Sequence, residues 1–388
     1  MSRIFHVGIS GSYGGTNLGD EAILAGIIGE LRRSLPVELT VFSRNPEDTL
    51  QRHRVERAVP VRQALREEMV EPLRSLDLFV LGGGGILFNG EARLYLRELN
   101  LAHELGVPTM VYAVGVGPLL DAEARAEVCA SLEAAGAVTV RDRIAKHLLE
   151  QCNLRREVKV TADPALLVTP EPVPEQVLAH EGLLGRRVVG MSVRERGPAA
   201  PELNEQGYHE LLANVADYVV DRLDADVVFV PMERRHTDLQ HSYAVLARMR
   251  SVQRASVLRG EYTSGQLLSI VGRFEFCVGM RLHFLIFSAM QQVPFVALPY
   301  APKVAGFLEE LGLSGPPIER LNPGKLIAHL DRSWDGRGQL REHISNEIRG
   351  LRQRARQNNE ILISLLTRES RAPLGLGART PREIEPER

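Results

Sequence analysis

Nine short runs of almost wholly apolar residues are spaced along most of the chain, at 4–10, 37–43, 77–81, 109–114, 138–141, 188–193, 227–231, 276–280 and 294–298. They are apolar on both alternating faces, the pattern of parallel strands covered by helices on each side of a sheet. Amphipathic stretches separate them. In one, Ile23, Ile27 and Leu31 form a stripe together with Leu24 and Ile28, as a half-buried helix requires. Strand–helix alternation of this kind predicts an α/β protein with doubly wound sheets.

The alternation breaks where Pro164, Pro170, Pro172 and Pro174 interrupt regular structure, and a new strand pattern begins at Arg187. Two Rossmann-like halves facing a cleft are therefore expected, residues 1–175 and 176–335. A long polar, arginine-rich helical pattern at 336–369 follows and is able to pack across both halves. Residues 370–388 are rich in Pro, Gly and charge and are expected to be disordered.

Composition narrows the field. The 388 residues are too many for one ordinary core and suit two. A net charge of -2 leaves no global basic field, so no nucleic-acid partner is expected. Three scattered cysteines, Cys129, Cys152 and Cys277, form neither a disulfide framework nor a Cys/His metal spacing. No metal ligand set is evident. No apolar window reaches the length of a membrane span, and the N-terminus lacks the pattern of a signal peptide, so a cytoplasmic protein is expected. Of 47 basic residues only four are lysines, Lys146, Lys159, Lys303 and Lys325, so a lysine in an apolar setting stands out.

Five segments can carry chemistry. Residues 11–24, GSYGGTNLGDEAIL, join the first strand to the first helix. Asn17 or Asp20 can cap that helix, whose first amides form an anion site, and Asp20 can serve as a base. A capped helix behind a glycine turn explains the same string. Residues 81–89, LGGGGILFN, place Gly83 and Gly84 at a buried strand's carboxyl end, where open α/β sheets bind ligands. The YAVGVGPL string at 112–119 reads as packing.

In VRDR at 140–143, Arg141 either points into the cleft or pairs internally with Asp142 or Asp163; Arg194 is a related candidate. Residues 279–283, GMRLH, end a strand and open a helix, placing Arg281 and His283 in its first turn, where the dipole favours bound anions. Lys303 follows the next strand in an otherwise apolar loop, so Arg281, His283 and Lys303 converge on one crevice.

In order, NLGDEAIL, GGGG, YAVGVGPL, VRDR, ADPALL at 162–167, GMRLH and PYAPKV resemble the polysaccharide pyruvyl transferases over about four-fifths of the chain. The resemblance implies a GT-B-like fold, phosphoenolpyruvate as donor and co-substrate, a glycan or lipid-linked sugar as acceptor, and a cyclic pyruvate ketal as product. Arg281 and His283 fall on the family's Arg-Leu-His motif, and Arg141 or Arg194 on a further donor-binding arginine.

The expected catalytic set is His283, Asp20 and Arg281. Asn17, Gly83, Gly84, Arg141, Arg194 and Lys303 are expected to bind substrate. The first half would take the acceptor and the second the donor. No other cofactor and no metal are expected, and lipid-linked acceptors would allow loose peripheral contact with the inner face of a membrane. The alternative is a GT-B-like glycosyltransferase using a nucleotide-sugar, with Glu309 or Glu310 gripping the ribose; a non-catalytic anion or sugar sensor is a third class.

Overall fold

The computed structural model describes residues 3–196, 204–233, 237–298, 301–315 and 322–369; the expected disorder of 370–388 falls outside these. The first sheet contains β1 (Phe5–Ser10), β2 (Val37–Ser43), β3 (Arg57–Pro60), β4 (Leu78–Leu81), β5 (Gly84–Leu87), β6 (Thr109–Val116), β7 (Ala137–Val140) and β8 (Val158–Val160). Its order is β3-β2-β1-β4-β6-β7-β8, with β5 joined to β6. The second contains β9 (Val188–Ser192), β10 (Asp226–Phe229), β11 (Ala255–Val257), β12 (Phe276–Gly279) and β13 (Phe295–Ala297), in the order β11-β10-β9-β12-β13. Every pairing between these strands is parallel.

Both sheets reverse their winding beside the first strand of their half. β1 lies between β2 and β4, and β9 lies between β10 and β12. At such a point the loops leaving neighbouring strands diverge to opposite faces and open a crevice at the carboxyl ends. The strands the apolar runs did not announce are β3, β5, β8 and β11, each three or four residues long. In the glycine-rich segment the chain does not simply turn away after β4. It forms β5, where a register shift between Gly85 and Leu87 bends the strand against β6.

The first helix, Leu18–Ser34, buries Ile23, Leu24, Ile27, Ile28 and Leu31 as its stripe predicts. Each such side chain contributes roughly 1.5–3 kcal/mol by leaving water. One apolar core runs from Phe5 through both sheets to Leu366, and a second fills the outer face of the first sheet.

The last helix, Arg337–Glu369, touches both halves. Asn358 and Asn359 are buried against the first half, while Arg341 and His343 donate to or contact the carbonyls of Gln292 and Leu311 in the second. The halves also join at the front. The Leu18 amide donates to the Met232 carbonyl at 2.9 Å, and the Ser264 hydroxyl donates to the Leu18 carbonyl at 3.1 Å.

Candidate active site

The crevice between the two sheets is an open cleft of about 800 Å³ whose lining includes Ser12, Asn17, Asp20, Gly85, Arg141, Arg281, His283 and Lys303. Apart from Gly85, which lies in β5, each of these residues follows the carboxyl end of a strand. A second, adjoining cleft of about 1150 Å³ shares Gly85, Arg141 and Lys303 and adds Arg194. Arg141 and Lys303 thus stand where the two chambers meet.

Asn17 caps the first helix: its side chain accepts from the Gly19 amide at 3.0 Å, and it also lines the cleft. Asp20 follows one turn later. Burial raises its carboxyl above the ordinary carboxylate range, and His283, the Ser12 hydroxyl, Arg44 and Lys303 pull it part of the way back. Arg44 is fixed by the Ser12 carbonyl at 2.7 Å and the Ser12 hydroxyl at 3.0 Å, which holds the glycine turn beneath the site.

Gly83 and Gly84 sit behind the cleft rather than in its wall. A Cβ on Gly83 would meet Ile23 at 3.0 Å and the Ala113 carbonyl at 3.3 Å, so this glycine is required by packing. Gly84 has φ +98°, a left-handed backbone that favours glycine, and a Cβ there would approach Asp20 at 3.6 Å. The exposed glycine that faces the cleft is Gly85, where a Cβ would lie 3.5 Å from the Arg141 guanidinium.

Arg281 occupies the N-cap position of the helix Leu282–Met290, one residue earlier than the first turn expected. Its Nε lies 3.0 and 2.8 Å from the two carboxylate oxygens of Asp238, and Nη2 also contacts Asp238. Asp238 is fully buried and accepts as well from the Met232 and Glu233 amides, each at 3.1 Å. One edge of the Arg281 fork is therefore locked by the protein.

His283 follows two residues later and also lines the cleft. Its Nε2 is 3.6 Å from Asp163 Oδ2, and the same oxygen accepts from Arg141 Nη1 at 3.1 Å. Burial alone would raise the Asp163 carboxyl; the His283 imidazole, the Arg141 guanidinium and the Ala165 amide outweigh it and hold the group at about 2. Asp163 thus stays a carboxylate, accepting from Arg141 and lying beside His283. Arg141 also lies 3.5 Å from Asp142, so its cleft position and its internal ion pairs coexist.

Lys303 opens the helix Pro302–Glu310, directly after a proline at its first position, and does not sit in a loop. Arg194 contacts Glu195 at the rim of the adjoining chamber. Glu310 is engaged by Arg354 and lies 3.6 Å from Arg143, with only 7% of its side chain exposed, so it is not presented to a ribose.

Asp163 and Asp238 are the residues that sequence reasoning undervalued. Asp163 appears there only as an ion-pair option for Arg141, and Asp238 not at all. An Asp-Pro at a strand end was a usable signal for the first, because it caps the 3-10 turn Pro164–Leu167. Asp238 pairs with a residue forty-three positions away, and no local pattern marks it.

Residues 17–302, well over half of the chain, match the model of the family described as polysaccharide pyruvyl transferase. The chain belongs to that family. It is accordingly a transferase, and the matched stretch contains Asn17, Asp20, Arg141, Arg281 and His283 and stops one residue before Lys303. The amylovoran biosynthesis protein AmsJ of Erwinia amylovora is 20% identical over 295 residues, covering 73% of this chain and 71% of that protein.

Among solved structures, MnaA of S. aureus, determined with UDP, superposes with a TM-score of 0.67 at 11% identity, over 98% of this chain and 100% of that one. The UDP-GlcNAc 2-epimerase of Neisseria meningitidis gives 0.62 at 10% identity, over 93% and 100%. At these identities the likeness shows the fold: two Rossmann-like domains in the GT-B-like arrangement.

Proposed function

We propose that this transferase moves the pyruvyl group of phosphoenolpyruvate onto a glycan, or a lipid-linked sugar, as a cyclic ketal with release of phosphate. The carrying observation is the gathering of Arg141, Arg281 and Lys303 around His283 and Asp20 in one cleft. Phosphoenolpyruvate bears a phosphate and a carboxylate, and fixed guanidinium forks suit both. The family match and the polysaccharide-pathway relative support a glycan acceptor.

In the reaction C3 of the donor gains a proton and C2 becomes electron-poor. One acceptor hydroxyl bonds to C2, the C2–O bond to phosphate breaks, and a second hydroxyl closes the ring. The two hydroxyl protons balance the methyl proton and the proton that leaves with phosphate. His283, beside Asp163, is the base toward an acceptor hydroxyl. Asp20, whose carboxyl is raised by burial, supplies or accepts the other proton. Arg141, Arg281 and Lys303 hold the donor's anions, and Arg194 extends the cationic wall toward the adjoining chamber. Asn17 presents the capped helix start on the acceptor side.

No metal and no cofactor beyond the co-substrate enter this scheme. None of the described helices is long and apolar enough to cross a membrane. The free cysteines fit a reducing, cytoplasmic setting. Loose peripheral contact with a membrane would serve a lipid-linked acceptor.

The test is thermal-shift titration with phosphoenolpyruvate against phosphate and UDP-sugars, followed by phosphate release with an acceptor panel. Selective stabilisation by phosphoenolpyruvate, lost in Arg281→Ala, is expected. Selective stabilisation by a nucleotide-sugar would instead establish the glycosyltransferase reading.

A further inference from the structure

Away from the cleft residues, three side chains of metal-ligating type converge between two helices of the second half. Glu205 and His209 lie four residues apart on the helix Glu205–Leu223 and so share one face. His241 reaches them from the neighbouring helix Thr237–Leu246. One ligand atom from each of the three lies within 4.8 Å of the other two. His209 Nε2 and His241 Nδ1 are 2.7 Å apart.

That nitrogen–nitrogen contact needs one N–H and one lone pair, so the two rings share a single proton between them. His209 is buried, so its ring nitrogen is shielded from bulk water and faces its partner across the helix pair. Replacing the shared proton by an ion satisfies both lone pairs at once. Two imidazoles and one carboxylate are the donor set of three-ligand zinc sites, with water in the fourth position. Metal–nitrogen bonds of about 2.0–2.1 Å in tetrahedral geometry place ligand atoms about 3.3 Å apart, so the rings need to separate by roughly half an ångström. Glu205 is exposed, so the cluster lies at the surface end of the helix pair.

The same helices hold the arginines of the cleft. Asp238, three residues before His241, grips Arg281. Tyr208, next to His209, donates to the Arg194 carbonyl at 2.7 Å. We propose that Glu205, His209 and His241 form a binding site for a borderline divalent transition-metal ion of the zinc type. The ion braces the two helices that position Arg281 and Arg194, and it takes no part in the chemistry at the substrate.

Equilibrium dialysis of the untagged full-length chain, first stripped with chelator, against Zn²⁺ tests this. One Zn²⁺ per chain is expected, and Co²⁺ in its place should give the visible absorption of a four-coordinate ion. His241→Ala and Glu205→Gln should each weaken binding at least ~10-fold, as loss of a ligand or its support typically does. Glu205 is exposed, so its variant folds even if loss of His241 disturbs packing. Failure of the wild-type chain to bind Zn²⁺, or undiminished binding in Glu205→Gln, overturns the proposal.

Discussion

The imidazole of His283 rests on the backbone of Gly19: a Cβ placed on Gly19 would lie 2.0 Å from His283 Nδ1 and 2.5 Å from its ring carbon Cγ. Two segments 264 residues apart in sequence are thereby made to fit each other. The glycine of the first helix leaves the room that the histidine of the second half fills. Asp163 lies 3.6 Å from Nε2 on the opposite side, so the ring sits between a carboxylate and a helix start.

Gly19→Ala follows directly. Alanine suits a helix better than glycine by up to about 1 kcal/mol, so nothing in the local backbone opposes it. The clash falls on the His283 ring, which has to swing away from Asp163. Displacement of a catalytic group by about 1 Å costs on the order of 10²-fold in rate. Phosphate release from phosphoenolpyruvate in the presence of acceptor should fall ~30–100-fold while the melting temperature changes little. Full activity in this variant would remove His283 from the chemistry.

Asp238→Asn tests the clamp on Arg281. The substitution keeps the shape but withdraws the charge that compensates a guanidinium only 13% exposed. Breaking such a pair costs about 3–5 kcal/mol when the partner stays charged, less where water reaches it. A melting temperature lower by several degrees is expected, with KM for phosphoenolpyruvate raised ~10-fold and kcat changed less. If only stability moved, Asp238 would be scaffold and Arg281 would not need it to bind donor.

Much of this was legible beforehand, for physical reasons that differ by element. The central strands are apolar on both faces because helices cover both, and that pattern survives in the sequence at β1, β6, β9 and β12. Edge strands such as β3 and β11 are short and half-covered, so their pattern is too brief to read. Arg281, His283 and Lys303 sit just past strand ends, and the loop position itself carried the signal. Asp163 and Asp238 act only through partners that folding brings from elsewhere in the chain. A glycine demanded by packing or by backbone conformation looks the same in sequence as one demanded by a ligand; the Ile23 and Ala113 contacts mark Gly83 as the packing kind and φ +98° marks Gly84 as the backbone kind.

Asp163 also predicts the acid limb of stability. Its folded pKa of about 2 lies below the model-peptide value of 3.8. The group therefore stabilises the fold fully above about pH 4, and that contribution is lost as pH falls from 4 toward 2. The shift corresponds to about 2 kcal/mol. Wild type should lose more stability than Asp163→Asn over that interval, measured by denaturant melts at a series of pH values. Because Asp20 remains in both proteins, its opposing raised pKa cancels in the comparison. Parallel pH curves for the two proteins would show that Asp163 is not held low.

Asn358 ties the last helix to the first sheet. Its Oδ1 accepts from the Thr139 hydroxyl at 2.6 Å and the Thr161 hydroxyl at 2.8 Å, and its amide donates to the Ala162 and Ala355 carbonyls at 3.2 and 3.0 Å. All three side chains are fully buried. Asn358→Ala leaves hydroxyls and carbonyls without partners where water does not readily reach, at about 1–3 kcal/mol per stranded group. Some of that is recovered because each threonine can turn its hydroxyl toward a nearby carbonyl, Val111 for Thr139 and Val140 for Thr161. A net loss of about 2–3 kcal/mol in denaturant unfolding is expected. The cleft residues come from both halves and depend on the halves being held together. Activity near the melting point should therefore fall in Asn358→Ala well before it does in wild type, while at low temperature the two should match. A variant as stable as wild type would mean that the apolar stripe of Ile344, Ile348, Leu351 and Leu362 alone seats the helix.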